Sequence, residues 1–105
     1  MKFNEVLNNY ISILNSSSKE VAIKSNISES VISRYRSGKR KPKVNSKQLN
    51  DLIKGLYEIS VSKNMSIKKE EIEKNINDSL NEEDFNYETF SKNLNLLIKA
   101  LNINI

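Results

Sequence analysis

Residues 17–43 read SSKEVAIKSNISESVISRYRSGKRKPK, and the order of residue types in this stretch decides how the chain folds. Ser17 or Ser18 offers a hydroxyl to the open amides of a helix start. Glu20 follows in the first turn, where a carboxylate favours the helix dipole, and Val21, Ala22 and Lys24 carry the helix to about Ser25. Asn26 then makes the turn, because Asn tolerates left-handed backbone better than most residues with a side chain, and Ile27 can plug the angle between the helices. The next helix begins at Ser28, whose hydroxyl can serve the amides of Ser30 and Val31. Its spacing turns Val31, Ile32 and Tyr35 inward and leaves Glu29, Ser30, Ser33, Arg34 and Ser37 outward, with Gly38 as the stop.

This stretch resembles the helix-turn-helix domain of the Xre and phage-repressor DNA-binding family. The likeness rests on small Ala22 at a helix crossing, on Ile27 and Ile32, on the Ser33-Arg34-Tyr35 run, and on Gly38 followed by Lys39, Arg40 and Pro42. It spans roughly residues 2–60, and it departs from the family at Asn26, where Gly is common. The resemblance implies double-stranded DNA as partner, read in the major groove by Glu29, Ser30, Ser33 and Arg34. Arg34 is the main candidate for specificity, since a guanidinium can donate twice to guanine. Glu29 either accepts from cytosine or serves only the helix dipole. Phosphate contacts fall to Ser17, Ser18 and Lys19 before the reading helix, and to Ser37, Lys39, Arg40 and Lys43 at and after its end. Arg36 reaches sideways to phosphate or simply to solvent.

Charge agrees with this division of labour. The chain carries a formal +4, but through Lys54 eleven Lys and Arg face four Asp and Glu, while residues 55–105 carry six against nine. From Arg34 to Lys47 there are seven basic residues and no acid, and all three arginines lie between positions 34 and 40. A basic run is often no more than a solvated face. Arginines at the end of a helix that would meet a duplex point instead to phosphate.

Outward from this stretch, the expected fold class is all-α: a domain of about four helices over residues 1–62, followed by two C-terminal helices over 63–105. Phe3, Val6, Leu7, Tyr10, Ile11 and Leu14 form the stripe of a first amphipathic helix. A fourth helix starts near Ser46 with Leu49, Leu52, Ile53, Leu56, Tyr57 and Ile59 inward, and Gly55 inside it marks either close helix packing or a bend. The pattern fades over residues 60–66. A fifth helix, about Lys68 to Leu80, has only the narrow stripe Ile72, Ile76 and Leu80, so it needs a partner, and NEEDFNYE at 81–88 reads as a hinge and the start of the next helix. Beyond it Phe90, Leu94, Leu97, Ile98 and Leu101 resemble a short coiled-coil seam, and they are expected either to form a homodimer or to fold back on the head. The spacing FNEVLNNYISILN of the first helix is echoed by FSKNLNLLIKALN of the last. That echo reflects convergence, or a longer protein with a further C-terminal domain.

Composition excludes much else. With no Cys and no His there are no disulfides and no usual zinc, haem or Cys–His and Ser–His arrangement, so no metal or cofactor is expected and an enzyme is disfavoured. No apolar run is long enough for a membrane span, and the expected location is cytoplasmic. The abundance of Asn, Lys and Ile fits AT-rich coding rather than function. The expected function is therefore that of a bacterial or phage transcriptional regulator acting as a dimer on a two-fold site. A plasmid partition, transfer or antitoxin protein, or a helical protein-interaction module without DNA duty, stands beside it.

Overall fold

A computed structural model describes residues 1–83, which form five α-helices and no strand: α1 (Phe3–Ile13), α2 (Ser18–Ser25), α3 (Glu29–Ser37), α4 (Lys47–Ser62) and α5 (Lys69–Glu83). The α1 stripe of Phe3, Val6, Leu7, Tyr10 and Ile11 is buried, with Leu14 just past the helix end. Helix α1 lies between α3 on one side and α5 on the other, while α2 packs against α3 and α4. Phe3 meets Tyr35 edge to face, with ring centroids 5.8 Å apart, which fastens α1 to α3 at the centre of the core.

Helices α2, α3 and α4 start on serine hydroxyls. Ser17, Ser28 and Ser46 accept from the amides of Glu20, Val31 and Leu49 respectively, so each N-cap oxygen satisfies one open donor. The turns rest on asparagine. Asn15, Asn26, Asn45 and Asn64 have φ between 49° and 60°, and with Gly38 at 79° they place left-handed backbone in every connection between the described helices. Asn carries this conformation at lower cost than branched or bulky residues, so the chain turns sharply with little glycine.

Glycine is kept for a different task at position 55. A Cβ built there would lie 2.8 Å from the Ser25 backbone nitrogen, so α4 crosses α2 at backbone distance. Of the two expectations for Gly55, close packing is the one realised, and α4 runs unbroken through it. Helix α4 also extends past the point where its apolar pattern fades. Ser60 is buried there, and its hydroxyl donates to the Tyr57 carbonyl at 2.6 Å, so a polar residue sits in the core without an unmet bond.

The largest difference from the sequence expectation concerns α5. It continues through Asn81 to Glu83, residues that the pattern assigned to a hinge. Ile72, Ile76 and Leu80 are fully buried against α1 and α4, and the Asn75 amide donates to the Tyr10 hydroxyl at 2.8 Å. Burying each of these side chains contributes roughly 1.5–3 kcal/mol. The partner that the narrow stripe needs is thus the chain's own first and fourth helices, and the core continues across the expected boundary at 62–63. Phe90, Leu94, Leu97, Ile98 and Leu101 lie outside the described residues.

Candidate nucleic-acid interface

Helix α3 is anchored from below by Ile32 and Tyr35, both fully buried, with Val31 packed at the margin. Burial pushes the Tyr35 phenol up, an effect partly offset by the positive charge of Arg40, so the hydroxyl stays protonated and donates to Gln48 Oε1 at 3.3 Å. Anchoring one face in this way leaves Glu29, Ser30, Ser33, Arg34 and Ser37 exposed on the other. The Ser37 hydroxyl donates to the Arg34 carbonyl at 3.1 Å, which occupies its proton within the helix.

Gly38 ends α3 in left-handed backbone, and the amide of Lys39 returns to the Arg34 carbonyl at 3.1 Å, satisfying an open acceptor. Gly38 also lies close over α1, where a Cβ would come within 3.4 Å of the Asn4 side chain. Beyond it Pro42 is buried, which fixes the loop to the body, while Lys39, Arg40 and Lys43 remain exposed. The basic run is therefore held against the end of α3.

At the start of α2 the hydroxyls are already in use as acceptors. Ser17 caps the helix, and Ser18 accepts from Arg36 Nη1 at 2.9 Å. Arg36 Nε donates to Asn8 Oδ1 at 2.7 Å, and the Asn8 amide donates back to the Arg36 carbonyl at 2.9 Å. Asn8, Arg36 and Ser18 thus join α1, α3 and α2 in one network. A hydroxyl that accepts within the protein still has its proton to give, so Ser17 and Ser18 each retain a donor beside exposed Lys19.

Glu20, in the same first turn, is bound away from this donor set. Its carboxylate accepts from the Ser16 hydroxyl at 2.6 Å and pairs with Lys63 at 3.2 Å, and these two partners, the Ser16 bond first, hold its carboxyl below the ordinary range. The Lys63 ammonium also donates to the carbonyls of Leu14 and Asn15, each at 2.7 Å, where a cation favours the C-terminal end of α1. Asn8 and Lys63 were not marked out by the sequence pattern. Asn8 reads there as one of several exposed amides, and Lys63 as one lysine in a fading helix.

Among the described residues no group of three or more His, Cys, Asp and Glu is placed to hold a metal ion, and no helix is long and apolar enough to cross a membrane. The arrangement offers hydrogen-bond donors and positive charge along one edge, formed by the start of α2, the outer face of α3 and the loop after it. No protein-family model matches the chain, and no match was found among curated proteins or solved structures.

Proposed function

We propose that the chain binds double-stranded DNA sequence-specifically, with α2 and α3 as a helix-turn-helix and α3 as the helix that enters the major groove. The observation that supports this reading most is the continuity of the α3 outer face with the basic loop that Pro42 fixes beside it. In this reading Arg34 donates to guanine, Ser30 and Ser33 donate to or accept from neighbouring base edges, and Glu29 accepts from cytosine. Ser17, Ser18, Lys19, Lys39, Arg40 and Lys43 hold phosphate on the two flanks, while the Ser37 hydroxyl is spent on the Arg34 carbonyl. Arg36 acts mainly through Ser18, to whose hydroxyl oxygen it donates, leaving that hydroxyl its own proton to give to phosphate.

The biological role that follows is transcriptional regulation in a bacterium or phage, with plasmid partition, transfer and antitoxin control as roles that use the same chemistry. Two heads on a two-fold site would set their α3 helices about one turn of duplex apart, which supplies the specificity that one short helix lacks. The α5 stripe is buried on its own chain, so pairing of copies would use another surface or the DNA itself. Selection of bound sequences from random duplexes, followed by affinity measured across a salt series, tests the proposal. A preferred site and an affinity that falls steeply with salt are expected. Absence of salt-dependent binding would favour a protein-interaction module instead.

A further inference from the structure

The basic loop after α3 is closed by a bond across its base. Tyr35, fully buried beneath α3, extends its phenol toward the first turn of α4, where the hydroxyl donates to Gln48 Oε1 at 3.3 Å. The bond spans 13 positions, and within that span lie Arg36, Lys39, Arg40 and Lys43. Arg40 is near enough for its charge to act on the phenol, and the Ser46 amide donates to the Lys43 carbonyl at 3.2 Å, so the loop is drawn toward the start of α4. Gln48 therefore shares an edge with the basic run, although it carries no charge itself.

A carboxamide has one accepting end and one donating end, whereas a phenol has a single proton to give. By taking that proton on Oε1, Gln48 turns its accepting end toward the core, and its NH2 end has no partner among the described residues. The residue is exposed, so this donor is open to an approaching acceptor. At 3.3 Å the bond is long for two oxygens, and it selects the orientation of the carboxamide without clamping it. Asp51, one turn further along α4, pairs with Lys47 at 3.5 Å, which offsets its charge near the amide. We infer that Gln48 is a further phosphate-contacting residue on duplex DNA, with Tyr35 as its positioning residue. The inference rests on the proposed DNA reading and extends the footprint from the loop onto α4. A neutral amide on phosphate carries no sequence information and releases no counterion.

That neutrality gives the contact a signature. In the full chain, Gln48→Ala should weaken binding to the selected duplex and to a scrambled one alike, by roughly three- to tenfold, as loss of one hydrogen bond does. The slope of log affinity against log salt should stay as it is in the parent. Gln48→Lys should restore affinity at low salt and steepen the slope by about 0.9, because an ammonium at the same place neutralises a phosphate. Tyr35→Phe keeps the ring that meets Phe3 edge to face and removes only the hydroxyl. It should lose part of the affinity in the parent and none in the Gln48→Ala background. Urea unfolding of the same variants separates this from a role in stability, since a Gln48 that merely covers the phenol would shift the midpoint and leave the affinity of the folded protein alone. Unchanged affinity in Gln48→Ala, with the parent bound to DNA, would overturn the inference and leave the proposed function standing. A parent chain without salt-dependent binding would remove both. A Tyr35→Phe loss that persists in full in the Gln48→Ala background would overturn the positioning role.

Discussion

The guanidinium of Arg36 donates from Nη1 to the hydroxyl of Ser18 at 2.9 Å, and this bond pins the last turn of α3 to the first turn of α2. With the second bond to Asn8, three helices depend on one side chain. Arg36→Ala should lower stability by about 1–2 kcal/mol, the half-exposed setting keeping it below the full range for charged hydrogen bonds. Arg36→Lys should recover only part, because an ammonium lacks the planar fork that serves both acceptors. Urea unfolding measures both, and an unmoved midpoint in the alanine variant would show that the network carries no stability.

Under the proposed function, Arg34→Ala should erase the preference for the selected site and leave weaker general affinity for DNA. The substitution removes a base-edge donor and spares the groups that hold phosphate. Competition between the selected duplex and a scrambled one reads the ratio. If the ratio is unchanged, Arg34 is not a base reader.

Replacing Lys39, Arg40 and Lys43 together with Ala should weaken binding to all duplexes about equally. The slope of log affinity against log salt should flatten by about 0.9 for each phosphate that the protein no longer neutralises. A weakening confined to one sequence, with an unaltered slope, would place this loop in a groove instead of on the backbone.

Gly55→Ala sets helix propensity against packing. Alanine is worth about 1 kcal/mol more than glycine within a helix. Here the added methyl would meet the Ser25 backbone at 2.8 Å, and backbone cannot swing aside. The net outcome should be a destabilisation of about 1–3 kcal/mol, the usual range for overpacking. A stabilised variant would mean that α2 and α4 separate readily.

Glu20 gives the stability a component that depends on pH. Its carboxyl titrates lower in the folded chain than in the unfolded one, held there first by the Ser16 hydroxyl and then by Lys63. The associated stability is complete above the unfolded pKa and disappears as pH falls through the lowered folded one. The pair is partly exposed, so its contribution should stay within about 1 kcal/mol. Glu20→Gln should therefore lose less stability than the parent between pH 7 and pH 3, and equal losses in the two proteins would remove Glu20 from the account.

What could be read from sequence was local. Ser17, Ser28 and Gly38 mark helix ends through chemistry contained within a few residues, and so does Asn26, whose left-handed φ of 55° follows from its own side chain. The fold class followed from apolar spacing for the same reason. Interactions at a distance were hidden. The pairing of Asn8 with Arg36 spans 28 positions, and that of Lys63 with Leu14 spans 49. The Ile72, Ile76 and Leu80 stripe announced that α5 needs a partner, but one stripe cannot specify which surface completes it. Gly55 was ambiguous because the absence of a side chain serves a bend and a close crossing equally well.

The docking of α5 on α1 has a kinetic consequence. The bond between Asn75 and Tyr10 closes a loop of 65 positions, the longest among the described hydrogen bonds, against 49 for Lys63 with Leu14 and 28 for Asn8 with Arg36. Closing long loops is the slow part of folding, since chain entropy is spent before the closed loop returns any energy. Synthesis runs from the N-terminus, so α1 leaves the ribosome before α5 and waits with its α5-facing side open until Leu80 has followed. Of the described helices the earliest made is thus among the last to be covered, and during that interval Val6 and Tyr10 are the residues most in need of protection from other chains.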